Sequence, residues 1–312
     1  MSPEATTLGR THENAGKHLS GHPLAAGARP KDHLYLLPHG VIYTSASIAN
    51  KATSRSSGCI LLTAQRDPFE VTIGKQVYEH TALAIRPLQE RGLRAENCQL
   101  VSILVHPTHR EYRRFRAIAS PGCQSLDRDA YVAVDDLLQS AYHGQLGIQR
   151  ASELLEKVIA ITVRYLPQVR TRDARSELIH KMLQEKWNCQ ISELAEALGV
   201  SQDRMSHLFT RVVGLPWRSF QLWQKVSAVG SALGSGRRLA EIAAAAGFSD
   251  AAHLSNTWHQ AFGAAPSRFF NHEVVQVHYG LQPEVALLTA APTPAPEKVQ
   301  RACPHCGERL DT

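Results

Sequence analysis

The chain has 312 residues, 43% of them hydrophobic and 20% charged, and a formal net charge of +6. That is enough chain for two domains with cores of their own, and the charge favours polyanionic partners without deciding one. Six cysteines, four standing singly (Cys59, Cys98, Cys123, Cys189), exclude a disulfide framework at this size. MSPEATTLGR lacks a charged-then-apolar leader, and no run approaches the roughly 18 apolar residues of a membrane span, so a cytoplasmic protein without membrane contact is expected.

Residues 1–32 are rich in Gly, Ala, Thr, His and Pro without periodicity, which predicts a disordered arm. Its histidines, His12, His18 and His22, with His33 just beyond, could bind metal, but their irregular spacing favours a solvated tail. From 33 to 125, short β-branched segments such as LYLLP, GCILLTA and CQLVSILVHP alternate with Gly, Pro, Asn and Asp. The spacing predicts a small antiparallel sandwich or barrel. Within it, His109 to Arg116 sets four arginines beside two aromatics. Guanidinium forks there suit an anionic effector or a DNA phosphate, whereas charge runs in general favour a solvated loop.

Residues 126–166 turn helical, with Val134, Leu137, Leu138 and Ala141 on one stripe and Ala151, Leu154, Leu155, Val158 and Ile159 on another. Such a pair packs either on its own barrel or across a two-fold axis on a second copy. A polar hinge, 167–173, precedes a helix over 175–186.

The segment 190–272 carries one pattern twice. Ile191, Leu194, Ala195 and Leu198 form a stripe, Gly199-Val200-Ser201 a turn, and Met205, Leu208, Phe209 and Val212 a second stripe that Gly214 and Pro216 end. Further on, Leu239, Ile242, Ala243 and Ala246 precede Gly247-Phe248-Ser249, and Leu254, Trp258 and Gly263 answer Met205, Phe209 and Gly214 at an offset of 49. Two helix-turn-helix units, 191–212 and 239–262, are thus expected, joined by a rod from Trp217 to Leu233 about 25 Å long at 1.5 Å per residue. A rod of that order suits recognition helices in successive major grooves of one duplex, about 34 Å apart. Residues 273–312 read as a Pro-rich tail ending in Cys303-Pro-His-Cys306. Two thiols cannot close a four-ligand zinc site alone, which leaves an idle tail, zinc shared between chains, or a redox pair.

The stretches ISELAEALGVSQDRMSHLFTRVVGLPWRSF and LAEIAAAAGFSDAAHLSNTWHQAFGAAPSRFF resemble the DNA-binding domain of the AraC/XylS family of transcription regulators. The resemblance covers 175–272. It implies an α+β chain: a cupin-like sensor barrel at 33–125, a helical pair at 126–166 that dimerises, and an all-α DNA-binding domain. It also implies double-stranded DNA as partner, a small-molecule effector, a homodimer, RNA polymerase if the protein activates, and no cofactor. Metal chemistry in the barrel would need converging histidines; Lys51 to Gly58 holds none, and His80, His106 and His109 lack a partner pattern.

By position in the motif, the DNA-reading residues are Gln202, Asp203, Ser206, His207, Thr210 and Arg211 in the first unit and Ala252, Ser255 and Asn256 in the second. Asp203 suits cytosine N4 or simply a helix's first turn, His207 suits guanine, and Asn256 suits adenine. Thr210 and Arg211 suit phosphate. Two functional classes follow: a transcription regulator, or an enzyme, either cupin-type or a methyl acceptor using Cys303 or Cys306. The absence of barrel ligands and of a catalytic domain after His272 favours the regulator.

Overall fold

The computed structural model describes residues 31–169 and 174–280. The expected arm, apart from Lys31 and Asp32, lies outside them, as does the Cys303–Cys306 pair.

The strands are β1 (Asp32–Leu37), β2 (Gly40–Thr53), β3 (Gly58–Thr63), β4 (Phe69–Ile73), β5 (Gln76–His80), β6 (Ala82–Ile85), β7 (Arg91–Val105), β8 (Cys123–Ser125) and β9 (Val275–Tyr279). They form one sheet in the order β8-β6-β3-β7-β2-β1-β9, and the β4–β5 hairpin joins it through β4 and β7. The path is open, so the expected barrel does not close. The outer edge of β1 is taken by β9, which runs parallel to it with Asp32 opposite Val275 and Leu36 opposite Tyr279. The Pro-rich tail expected from 273 therefore begins with a paired strand.

Alternation along the strands divides the sheet into two faces. Ile60 and Leu62 of β3 and Val101, Ile103 and Val105 of β7 enter one core. Cys59, Leu61, Leu100 and Leu104 enter the other, with Phe69 and Val71. The helices α2 (Asp135–Tyr142) and α3 (Ile148–Thr162) cover the first face. Both leucine stripes read from the sequence are spent there: Leu154 is fully buried and Leu155 is 2% exposed, in one core with Ile60 and Ile103. An amphipathic stripe does not reveal whether its cover is the same chain or another. Here it is the chain's own sheet, and the expected two-fold interface through these leucines is corrected accordingly.

The charge run is likewise no solvated loop. It contains α1 (Tyr112–Arg116), which buries Tyr112 and Phe115 and turns Arg114 and Arg116 to carbonyl oxygens. Arg114 Nη2 donates to Leu166 O at 3.1 Å, and Arg116 donates from Nε to Gly214 O at 2.6 Å and from Nη1 to Pro87 O at 3.3 Å.

The helical half comprises α4 (Ala174–Glu185), α5 (Ile191–Leu198), α6 (Gln202–Val213), α7 (Trp217–Ser231), α8 (Leu239–Ala245), α9 (Ala251–Phe262) and α10 (Pro266–Phe270). Met205, Leu208, Phe209 and Val212 of α6 are buried with Phe220 and Trp223 of α7 in one core. Leu254 and Trp258 of α9 pack with Ile242, Ala243 and Phe269 in another, to which the sheet contributes Leu34 and Val275. The second unit's core is thus completed by strands outside 175–272. Leu178 of α4 and Leu222 of α7 are 37% and 40% exposed.

Candidate nucleic-acid interface

Each recognition helix is fixed by local chemistry at both ends. In α6 the Ser201 hydroxyl accepts from the Arg204 amide at 3.3 Å, and Gly214 at φ +84° ends the helix. In α9 the role of Ser201 passes one residue further, to Asp250, whose carboxylate accepts from the His253 amide at 2.7 Å; Gly263 at φ +73° closes it. That shift is why the two copies align at 48 before the turn and 49 after it. The amide of His253 and the Ser249 hydroxyl hold the Asp250 carboxyl below its ordinary range.

With the apolar stripe buried, Gln202, Asp203, His207, Thr210 and Arg211 are exposed on α6 and Ser206 is half-buried. Arg204, which spacing did not single out, is exposed between them. On α9, Ala252 and Asn256 are exposed and Ser255 half-buried. The Thr210 hydroxyl donates to Ser206 O at 3.0 Å and the Ser255 hydroxyl to Ala251 O at 2.8 Å, so both hydroxyls bond within their own helices. His253 also stands exposed on α9, with Nδ1 3.0 Å from the Ser249 hydroxyl. Its place one position after Ala252 was the available signal.

Both units are held to the sheet half at the same point of the repeat. Gly214 O receives Arg116. A Cβ built on Gly263 would stand 2.7 Å from Asn50 Cβ, so the sheet touches the second cap as closely as backbone allows. Nearby, the Ser54 amide donates to Gln260 O at 3.0 Å, and Arg268 Nη2 donates to Asp32 Oδ2 at 2.7 Å.

Between sheet and helices lies a cavity of about 180 Å3. Leu36, Val41, Leu93 and Leu104 line it from the sheet and Trp223, Val226, Trp258 and Phe262 from the helices. Arg55, inside the histidine-free Lys51–Gly58 stretch, lines it together with Arg91. Sequence patterning gave neither arginine a role. Burial, then the neighbouring Arg91, pushes the Arg55 guanidinium down to about 9. His106, on the same wall, is pushed down to about 3, chiefly by burial and then by His39.

Residues 194–272 match the family model described as a helix-turn-helix domain. This C-terminal segment is a helix-turn-helix domain of the AraC type. The AraC-type domain accounts for about a quarter of the chain. Among solved structures, ToxT from Vibrio cholerae O395 is similar at 12% identity and TM-score 0.46, over 75% of this chain and 97% of that one. A second ToxT structure gives 12% and 0.46, over 74% and 97%. The AraC-like transcriptional activator CuxR gives 12% and 0.35, over 56% and 72%. No curated protein sequence matches the chain. Among the described residues no helix is long and apolar enough to cross a membrane, and no cluster of His, Cys, Asp and Glu is arranged to hold a metal.

Proposed function

We propose that the protein is a sequence-specific regulator of transcription that binds double-stranded DNA through α6 and α9 and answers to a small molecule received between sheet and helices. The observation that carries this reading is the doubled helix-turn-helix whose polar faces stay exposed while both helix ends are tied to the sheet half. His207, Asp203 and Ser206 address base edges, Arg211 and Thr210 address phosphates, and Gln202 borders both. Ala252, Ser255 and Asn256 make the second unit the poorer reader, because alanine offers nothing to a base edge. The protein acts in the cytoplasm as a non-catalytic activator that recruits RNA polymerase. Any homodimer it forms uses a surface other than the Leu154–Leu155 face, which the sheet occupies.

Selection of bound duplexes from a random pool with the full chain tests the reading. The expected result is one recovered motif whose affinity falls steeply with salt as phosphate counterions are released. A folded protein that enriches no sequence would overturn it.

A further inference from the structure

Among the described residues, three strands of the sheet are paired on one side only: β8, β9 and β5. The most open of these is β5, where Gln76, Val77 and Glu79 are exposed, and Val77, at 61%, is the most exposed large hydrophobic residue described. Its hairpin turns through Gly74-Lys75, with Gly74 at φ +61° in the first turn position, as a type II′ turn requires. Ile73 and Gln76 flank that turn and, by the alternation of an antiparallel ladder, exchange their backbone bonds. Val77 and Glu79 therefore direct their N–H and C=O groups away from β4. Tyr78, opposite Val71, packs on the core beneath, which leaves Val77 and Glu79 on the outer face. Such an edge is a template for another strand.

Exposed edges are commonly guarded by charge, and a guard of one sign repels a second copy. The guard on β5 has both signs. Lys75 and Glu79 stand two residues to either side of Val77, and among the described residues neither has an ion-pair partner. Across the hairpin Glu79 meets a like charge, Glu70, while Arg94, 3.8 Å from Glu70, is also held by Glu96 at 3.1 Å. A second copy of β5 laid antiparallel on the first must set outward-facing residues opposite one another. Centring the pair on Val77 sets that residue against the partner's Val77 and Lys75 against the partner's Glu79, once at each end. Centring on Tyr78 sets Glu79 against the partner's Val77, and centring on Glu79 brings two carboxylates together. Only the first register satisfies both charges.

We propose that β5 pairs antiparallel with the β5 of a second copy about a two-fold axis at Val77, with Lys75 of each chain against the partner's Glu79. Because the contact is isologous it uses up both edges, and assembly stops at two. A ladder of five residues buries less than the roughly 1,200 Å2 of a stable interface, so the free dimer is weak, with a dissociation constant of about 0.1 mM. Two chains on one duplex meet at an effective concentration of about a millimolar, enough to fill the pairing there. This names a surface for the homodimer raised above; only its use on DNA rests on that reading, and pairing is measured without DNA.

The test is sedimentation of the full chain from about 5 µM to about 0.5 mM, a range that spans a weak association. A reversible monomer–dimer equilibrium is expected, weakened by salt. Lys75→Glu sets a carboxylate against the partner's Glu79, and Glu79→Lys sets an ammonium against the partner's Lys75; each should weaken association about tenfold. The two variants mixed in equal amounts are complementary again at both ends, so the mixture should dimerise about as well as the parent. So should the chain carrying both substitutions, and no interface elsewhere on the molecule predicts either rescue. Both side chains are exposed, so melting temperatures should stay near that of the parent. Should either variant not fold, Val77→Lys, which places two ammonium groups at the axis, is read in its stead and should weaken association by a similar factor. A monomer at every concentration, a dimer that the charge reversals or Val77→Lys leave intact, or single variants that fail to pair when mixed would each overturn the proposal. Selection of DNA by the protein stands or falls separately.

Discussion

At the scale of single residues, the proposed reading assigns His207 of α6 to a base edge and Arg211 to a phosphate, and the two roles are separable by substitution. Each good polar base contact discriminates by about 1–3 kcal/mol, so His207→Ala should relax preference at one or two positions of the selected site with non-specific binding nearly intact. Arg211→Ala should instead weaken binding to all sequences and lower the salt slope by about one unit. A base-substitution scan with both variants checks this, and greater damage from Asn256→Ala than from His207→Ala would sink the asymmetry between the units. A different residue-scale demand falls on Gly263. Its φ of +73° disfavours any side chain, and Asn50 leaves no room for one. Gly263→Ala should cost about 1–3 kcal/mol in a denaturant melt, strain and crowding together.

At the scale of elements, the helices of the AraC-type domain were legible because every cue for them is local. Apolar residues at i, i+3, i+4 and i+7 mark a face, and Gly199, Gly214 and Gly263 mark ends. What those cues omit is the partner across the face. The stripe of α3 reads the same whether its cover is the sheet or another subunit. Because it is the sheet, Leu154→Ala should lower stability by about 2–5 kcal/mol, and paired charged substitutions at Leu154 and Leu155 should unfold the sheet half rather than yield folded monomers. Circular dichroism with sedimentation separates these outcomes. The strand β9 escaped notice for a related reason. Val-Gln-Val-His-Tyr is short, and its partner β1 lies more than 230 residues earlier in the chain. The arginines of the cavity were hidden differently: Arg55 among serines and Arg91 among glycine and glutamate look like solvated charges until the fold buries them.

At the scale of the whole molecule, the histidines set a pH limit. His33, His39, His106, His180 and His278 are all held below their ordinary value, with burial the largest cause for each. In the unfolded chain they protonate as pH falls through about 6.5, while the folded chain resists, so the unfolded state binds more protons and stability drops. The loss should begin below pH 6.5 and, for His106, continue to about 3. Each fully resistant histidine contributes up to about 1.4 kcal/mol per pH unit in that window. Melting temperatures taken from pH 7.5 to 5.5 should fall, and His106→Gln should flatten the decline. A flat profile in the parent would show that these rings protonate freely in place.

The parallel pairing of β9 with β1 brings the far ends of the described chain side by side, with Asp32 opposite Val275 and Leu36 opposite Tyr279. Five strand residues span about 17 Å at 3.3 Å each, so a flexible bridge of roughly eight residues would join Gly280 to Lys31. The fold is therefore nearly a closed ring in its connectivity. A circular permutant bridged there and opened within 170–173 would begin with the DNA-binding helices and finish with the sheet, and should preserve both the melting temperature and the selected DNA site. In such a rearranged chain the order of sheet and DNA-binding helices along the sequence is reversed while their contacts are not, so their packing does not depend on that order.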